Sequence, residues 1–189
     1  MSTLFSDNIR EHQAVLTQLH HLEGEVARAA EVMAASLRQG GKLMFCGNGG
    51  SAADSQHIAS ELTGRFIKDR RPLAAMALTT DTSALTCIGN DYSFDDIFVR
   101  QVQGLGRAGD CLVGISTSGN SSNVIKAIEV ARQQGMLTIG LLGRDGGRLK
   151  AMNDVSIVVP SHTTARVQEM HILIGHTLCG LIEEIMHLA

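Results

Sequence analysis

The sequence predicts an α/β fold: a doubly wound parallel sheet with extra helices ahead of it. Three observations carry this. Five short apolar runs read as strands: "KLMFCG" (42–47), "AAMALT" (74–79), "CLVGIS" (111–116), "LTIGLL" (137–142) and "DVSIVV" (154–159). They are continuous rather than alternating, as strands covered on both faces are. Helical patterns separate most of them, and strand–helix alternation gives parallel strands joined by right-handed crossovers. Composition agrees, since 20 glycines with only two prolines, Pro72 and Pro160, suit tight strand-to-helix turns.

The elements follow in chain order. A first helix from about residue 6 to 20 has a thin stripe of Ile9, Leu16 and Leu19. A second carries Leu22, Val26, Ala29, Ala30, Met33 and Leu37 at i, i+4, i+7 spacing. These helices fill residues 1–40, and they either cover one face of the sheet or reach another subunit. Residues 41–189 hold the sheet core and the C-terminal helix. No linker, repeat or low-complexity segment interrupts the chain, so one domain over 1–189 is expected. After the third strand, "SNVIKAIEVARQQG" puts Val124, Ile125, Ile128 and Ala131 on one side and stops at Gly135. The final helix, about 164–188, is apolar nearly all round until Ile182, with Gly175 and Gly180 inside it. Such a helix is buried on several sides, consistent with packing against a neighbouring subunit.

Bulk properties exclude some functions. A chain of 189 residues needs neither disulfides nor metal merely to hold its fold. A formal charge of −3 argues against a general nucleic-acid or membrane surface. Cys46, Cys87, Cys111 and Cys179 lie far apart, each in an apolar run, and are expected as free buried thiols in a reducing cytoplasm. The N-terminal stretch lacks the apolar core of a signal peptide. The longest uncharged apolar stretch, "MHILIGHTLCGLI", is too short to span a bilayer.

Two loops and two helices carry the chemistry. "MFCGNGGSAADSQHIASEL" can be read as the dinucleotide fingerprint Gly47-x-Gly49-x-x-Ala52. That reading expects an acidic residue about 20 positions on, and Asp81 comes too late. No nucleotide cofactor is therefore expected. In open α/β sheets ligands bind beyond the carboxyl ends of the strands, and two loops leave there. "GNGGS" offers bare backbone N–H groups and the Asn48 amide. "STSGNS" offers the hydroxyls of Ser116, Thr117, Ser118 and Ser121 at a helix N-terminus, where anions are favoured. Four hydroxyls without a nearby lysine suit a sugar-bound phosphate monoester, while the same residues also make an ordinary turn and N-cap.

His57 and Glu61 stand at i, i+4, so both point to one helix face about a turn apart. This spacing serves a metal, a proton-transfer pair or a surface contact. The pair lies two turns into a helix whose first turn would hold a ligand. In "ARVQEMHILIGH", His176 lies about 80° around the helix from Gln168, about 20° from Glu169 and about 140° from His171. Angle alone pairs His176 with Glu169 and does not select Gln168.

The stretches "CGNGGSAADSQHIASELTGRF", "ALTTDTSALTCIGNDYSFDDIF", "GISTSGNSSNVIKAI" and "ARVQEMHILIGH" together resemble the phosphoheptose isomerases, a branch of the sugar-isomerase (SIS) domain family. The resemblance runs over nearly the whole chain. It implies a flavodoxin-like sheet of five strands and a homotetramer with active sites at subunit interfaces. The implied reaction interconverts D-sedoheptulose 7-phosphate and D-glycero-D-manno-heptose 7-phosphate, on the way to lipopolysaccharide heptose. By resemblance, the phosphate loop falls on Ser116, Thr117, Ser118 and Ser121, and the glycine turn on Asn48, Gly49, Gly50 and Ser51. An Asn–Asp pair falls on Asn90 and Asp91. The general base falls on Glu61 and the histidine acid on His176. A zinc site, one per subunit, falls on His57, Glu61, Gln168 and His176, so the resemblance selects Gln168 where angle leaned to Glu169. Gln168 also joins the substrate contacts. Ala165 departs from members that carry aspartate there. Other readings within the family are a non-catalytic sugar-phosphate-binding module, whose known example lacks the acid at the Glu61 position, and an isomerase of another sugar phosphate.

Overall fold

The computed structural model describes residues 3–188; residues 1, 2 and 189 of the expected domain lie outside them. The chain forms helices α1 (Leu4–Gln18) and α2 (Glu23–Arg38), then strand β1 (Leu43–Gly47), helix α3 (Gly50–Thr63) and strand β2 (Ala75–Ala77). Helices α4 (Thr82–Asp91) and α5 (Val99–Leu105) lead to β3 (Cys111–Ser116), α6 (Ser122–Gln133), β4 (Leu137–Gly143), β5 (Val155–Val159) and α7 (Thr164–Ile185). The sheet order is β2-β1-β3-β4-β5, and every neighbouring pair is parallel.

Two cores explain the continuous apolar strands. Leu43 and Phe45 of β1, with Val113 and Ile115 of β3, face the layer built from α2, α3 and α7. Met44, Cys46 and Leu112 face the opposite layer, with Ile88, Phe98, Val102 and the α6 stripe. Both faces are dry, so both alternating sets must be apolar. From β1 the chain winds outward to β2, and from β3 it winds the other way to β4. The crevice between the carboxyl ends of β1 and β3 is therefore the topological switch point.

Several expectations shift. The edge strand expected over 74–79 is paired only at Ala75–Ala77. The first helix ends at Gln18, and a 3₁₀ turn, Leu19–Leu22, takes up the residues that periodicity gave to both helices. Helix α2 covers its own sheet: Ala29, Ala30, Met33 and Leu37 are buried against β5 and α7. Helix α1 buries only Val15. One of the four cysteines departs from the buried-thiol expectation. Cys87 is exposed, because its apolar run is a surface helix whose one buried residue is Ile88. Burial pushes the Cys46 and Cys179 thiols up to about 12, so they are inert packing groups.

Candidate functional site

Both loops expected to hold a ligand lie at the switch point. Asn48, which leaves β1, and Asn123, in the first turn of α6, exchange reciprocal amide hydrogen bonds. Asn48 Nδ2 donates to Asn123 Oδ1 at 2.9 Å, and Asn123 Nδ2 donates to Asn48 Oδ1 at 2.8 Å. This pairing locks the glycine turn to the hydroxyl loop. Asn123 was missed by motif reading, because its role depends on a partner 75 residues away.

In the hydroxyl loop, Ser116 Oγ lies 2.9 Å from Ser121 Oγ and 3.5 Å from Ser118 Oγ. Ser121 occupies the N-cap of α6, yet its side chain makes no capping bond. Asn123 Oδ1 instead accepts from the Val124 amide. The hydroxyls thus cluster on one another at a helix N-terminus, with donors to spare for an anion. Thr117 is half-buried beside them.

The glycine turn runs straight into α3. Gly49 takes the left-handed conformation, φ 58°, and Ser51 is buried. The amide of Gln168 rests on Gly50 so closely that a β-carbon there would collide with its Nε2. Gln168 therefore guards the start of α3.

Two turns further along α3, three groups converge. His57 Nε2 lies 3.0 Å from Glu61 Oε1 and 3.2 Å from His176 Nε2. One ligand atom from each lies within 4.8 Å of the others. Phe66, in the loop after α3, stacks on the His176 ring with centroids 5.6 Å apart and planes at 22°. His57 Nε2 holds one hydrogen or one lone pair, yet it meets both a carboxylate and a second imidazole. One hydrogen satisfies only one such contact, whereas a cation satisfies all three groups. Tetrahedral zinc with bonds of about 2.0–2.2 Å sets its ligands about 3.3–3.5 Å apart. The observed separations need to open by only a few tenths of an ångström, so the donor set fits such an ion.

The fourth expected ligand, Gln168, has its amide against Gly50 at the start of α3. Eight residues of α7 separate Gln168 from His176, about 12 Å of helical rise. The alternative that angle favoured is also absent. Glu169 accepts from His12 at 2.7 Å and from Arg166 at 2.6 Å, facing α1. Its seven-residue separation from His176 is about 10 Å along the axis, which an angular projection hides. His171 points the opposite way, as the angle predicted, and donates to the Leu142 carbonyl at 3.0 Å.

Asn90 and Asp91 sit exposed at the end of α4 and bond locally, Asn90 Nδ2 to Asp91 Oδ1 at 2.8 Å. Asp54, one turn before His57, has one buried carboxylate oxygen without a hydrogen-bond partner. Burial pushes its carboxyl up, and the nearby His57 pulls it down. An apolar groove of about 600 Å³ lies outside this site, lined by Leu16, Leu19, Leu22, Val26, Leu173 and Leu181. Among the described residues no helix is long and apolar enough to cross a membrane.

The SIS domain family model matches residues 7–143. The phosphoheptose isomerase of Rhodospirillum rubrum is 61% identical over 159 residues, covering 84% of this chain and 85% of that protein. That of Campylobacter jejuni is 52% identical over 184 residues, covering 97% of this chain and 99% of its own. A solved phosphoheptose isomerase from Neisseria gonorrhoeae superimposes with a TM-score of 0.86 at 52% identity, over 96% of each chain.

Proposed function

The chain belongs to the SIS domain family and, within it, to the phosphoheptose isomerases, and on that premise we propose how its residues carry the reaction. It is an aldose–ketose isomerase that interconverts D-sedoheptulose 7-phosphate and D-glycero-D-manno-heptose 7-phosphate, in the supply of lipopolysaccharide heptose. The convergence of His57, Glu61 and His176 on the helix that leaves the glycine turn carries the assignment of roles.

The phosphate binds at Ser116, Thr117, Ser118 and Ser121, held by hydroxyls and the N-terminus of α6. Asn48, Gly49, Gly50 and Ser51 line the chain of the sugar, and Gln168, Asn90 and Asp91 supply further polar contacts. The Glu61 carboxylate removes the proton from C1 of the ketose and returns it to C2, through an enediol. His176 gives a proton to O2 as the enediol forms and takes the O1 hydroxyl proton as the C1 carbonyl forms, a net transfer from O1 to O2. A zinc ion held by His57, Glu61 and His176 would polarise the carbonyl as a Lewis acid. A zinc ion bound there would also draw electron density from the Glu61 carboxylate and weaken it as a base.

The working unit is a homotetramer with interfacial sites. One feature supports this. The apolar groove between α1, α2 and α7 has the lining that another helix would cover. The chain forms one domain in each subunit. Its four free cysteines support a reducing, cytoplasmic setting.

The deciding experiment follows exchange of the substrate's carbon-bound proton in D₂O by NMR, at saturating substrate. Glu61→Gln keeps shape and removes basicity, so exchange and turnover should fall together by about 10²–10⁴-fold. Ligand binding should persist and still raise the melting temperature. Wild-type exchange in Glu61→Gln removes Glu61 from the base role.

A further inference from the structure

We propose that Arg70 and Glu183 are positioning residues for this isomerase: a buried clamp that sets how α3 presents Glu61 and His57 to His176 on α7. The proposal rests on the reading of that cluster as the reactive site.

Both side chains are almost fully enclosed, 2% and 1% exposed, and Arg70 Nε donates to Glu183 Oε1 at 2.8 Å. The remaining guanidinium donors go to the end of α3 and, at 3.2 Å, to the Arg71 carbonyl. Nη2 donates to the Glu61 carbonyl at 2.8 Å, and Nη1 to the carbonyls of Leu62 at 2.8 Å and Gly64 at 3.0 Å. The last carbonyls of a helix have no partner within it. Here Gly64 does not adopt a left-handed cap, with φ −86°, so Arg70 does that work. Its charge also suits the negative end of the helix dipole.

The contacts between the two helices rise together: Gly50 with Gln168, Ile58 with Gly175, His57 with His176. The helices therefore run parallel, and Arg70 with Glu183 closes their far end. Glu183 follows His176 by seven residues, within about 20° on the same face of α7. Arg70 thus holds the backbone of the Glu61 residue itself on one side and the His176 face on the other. The same loop carries Phe66 onto the His176 ring. A buried ion pair is a poor device for stability alone, since apolar replacement is often neutral. Five-donor geometry that bridges one carboxylate and the three carbonyls at the end of α3 is a device for position.

The test compares the full-length protein carrying Arg70→Lys, the apolar pair Arg70→Met/Glu183→Leu, and Asp110→Asn as a control. Asp110→Asn breaks the ion pair with Lys42 at the opposite end of the sheet. Each is assayed well below its melting temperature for kcat, for KM, and for zinc affinity of the metal-free protein by chelator competition. Lysine cannot span the carboxylate and the three carbonyls, so Arg70→Lys should lose about 10- to 100-fold in zinc affinity, the usual range for groups that orient ligands. Its kcat should fall at least tenfold while KM, set at the hydroxyl loop, stays within twofold. The apolar pair should keep the wild-type melting temperature and show the same losses, and it stands in if Arg70→Lys does not fold. Wild-type kcat and zinc affinity in the folded variants overturn the proposal, as does an equal loss in Asp110→Asn. If Glu61→Gln turns over normally, the catalytic reading falls, and the zinc affinities still decide the clamp.

Discussion

At the scale of single residues, environment separates chemically equal groups. His57 and His176 meet across 3.2 Å near the surface, while His171 on the same helix as His176 is fully buried. Burial pulls the His171 imidazole down to about 4, and its Nδ1 has no partner. The unfolded chain takes up this proton near pH 6.5, while the folded chain resists until about 4. Folding stability is therefore full above pH 6.5 and declines as pH falls towards 4. The loss from this group should reach about 2 kcal/mol by pH 5. Melting curves of His171→Gln should show a shallower decline between pH 7 and 5 than the wild type. The serines obey a different logic. Ser118 and Ser121 offer hydroxyls that no helix cap consumes, so Ser118→Ala and Ser121→Ala should mainly raise KM. Each lost bond to a charged phosphate is worth about 1.5–3 kcal/mol, and unchanged KM in both variants places the phosphate elsewhere.

At the scale of elements, the pair α3 and α7 decides the site. Gly175 lets them approach: a β-carbon there would stand 2.6 Å from the Ile58 side chain. Gly175→Val should push the helices apart, lowering stability by about 1–3 kcal/mol through overpacking. It should also cut kcat, because the same separation carries His57 away from His176. Thermal unfolding and steady-state kinetics check both. A variant as active and stable as the wild type would show that the spacing is not critical. The close approach was foreshadowed by two glycines inside a helix, but the partner was not. Periodicity describes one helix at a time, and it projects away the rise that sets Glu169 and Gln168 apart from His176.

At the scale of the whole molecule, the exposed apolar residues ask for cover. Leu16 and Leu173 are 39% and 43% exposed and border one groove between α1, α2 and α7. Light scattering at micromolar concentration should report a tetramer. Leu173→Arg should shift it to smaller species and reduce turnover with it, as the proposed interfacial sites require. A wild-type monomer with full activity would exclude the shared site.

By itself the sequence determined the strands, their parallel pairing, the glycine-rich and hydroxyl-rich loops at their carboxyl ends and the i, i+4 pair of His57 and Glu61. All are local patterns: runs, periods and turn residues within about a dozen positions. It also carried enough long motifs to place the chain in its family. Only the tertiary structure decided which distant groups meet. Asn48 with Asn123, His57 with His176, Phe66 over His176, and Arg70 with Glu183 join segments from tens to more than a hundred residues apart. No local period encodes such pairings, because they depend on how the crossovers stack two helices against one sheet. The exposure of Cys87 and the turn of Glu169 towards α1 were decided in the same way, by which neighbours each face meets in the fold.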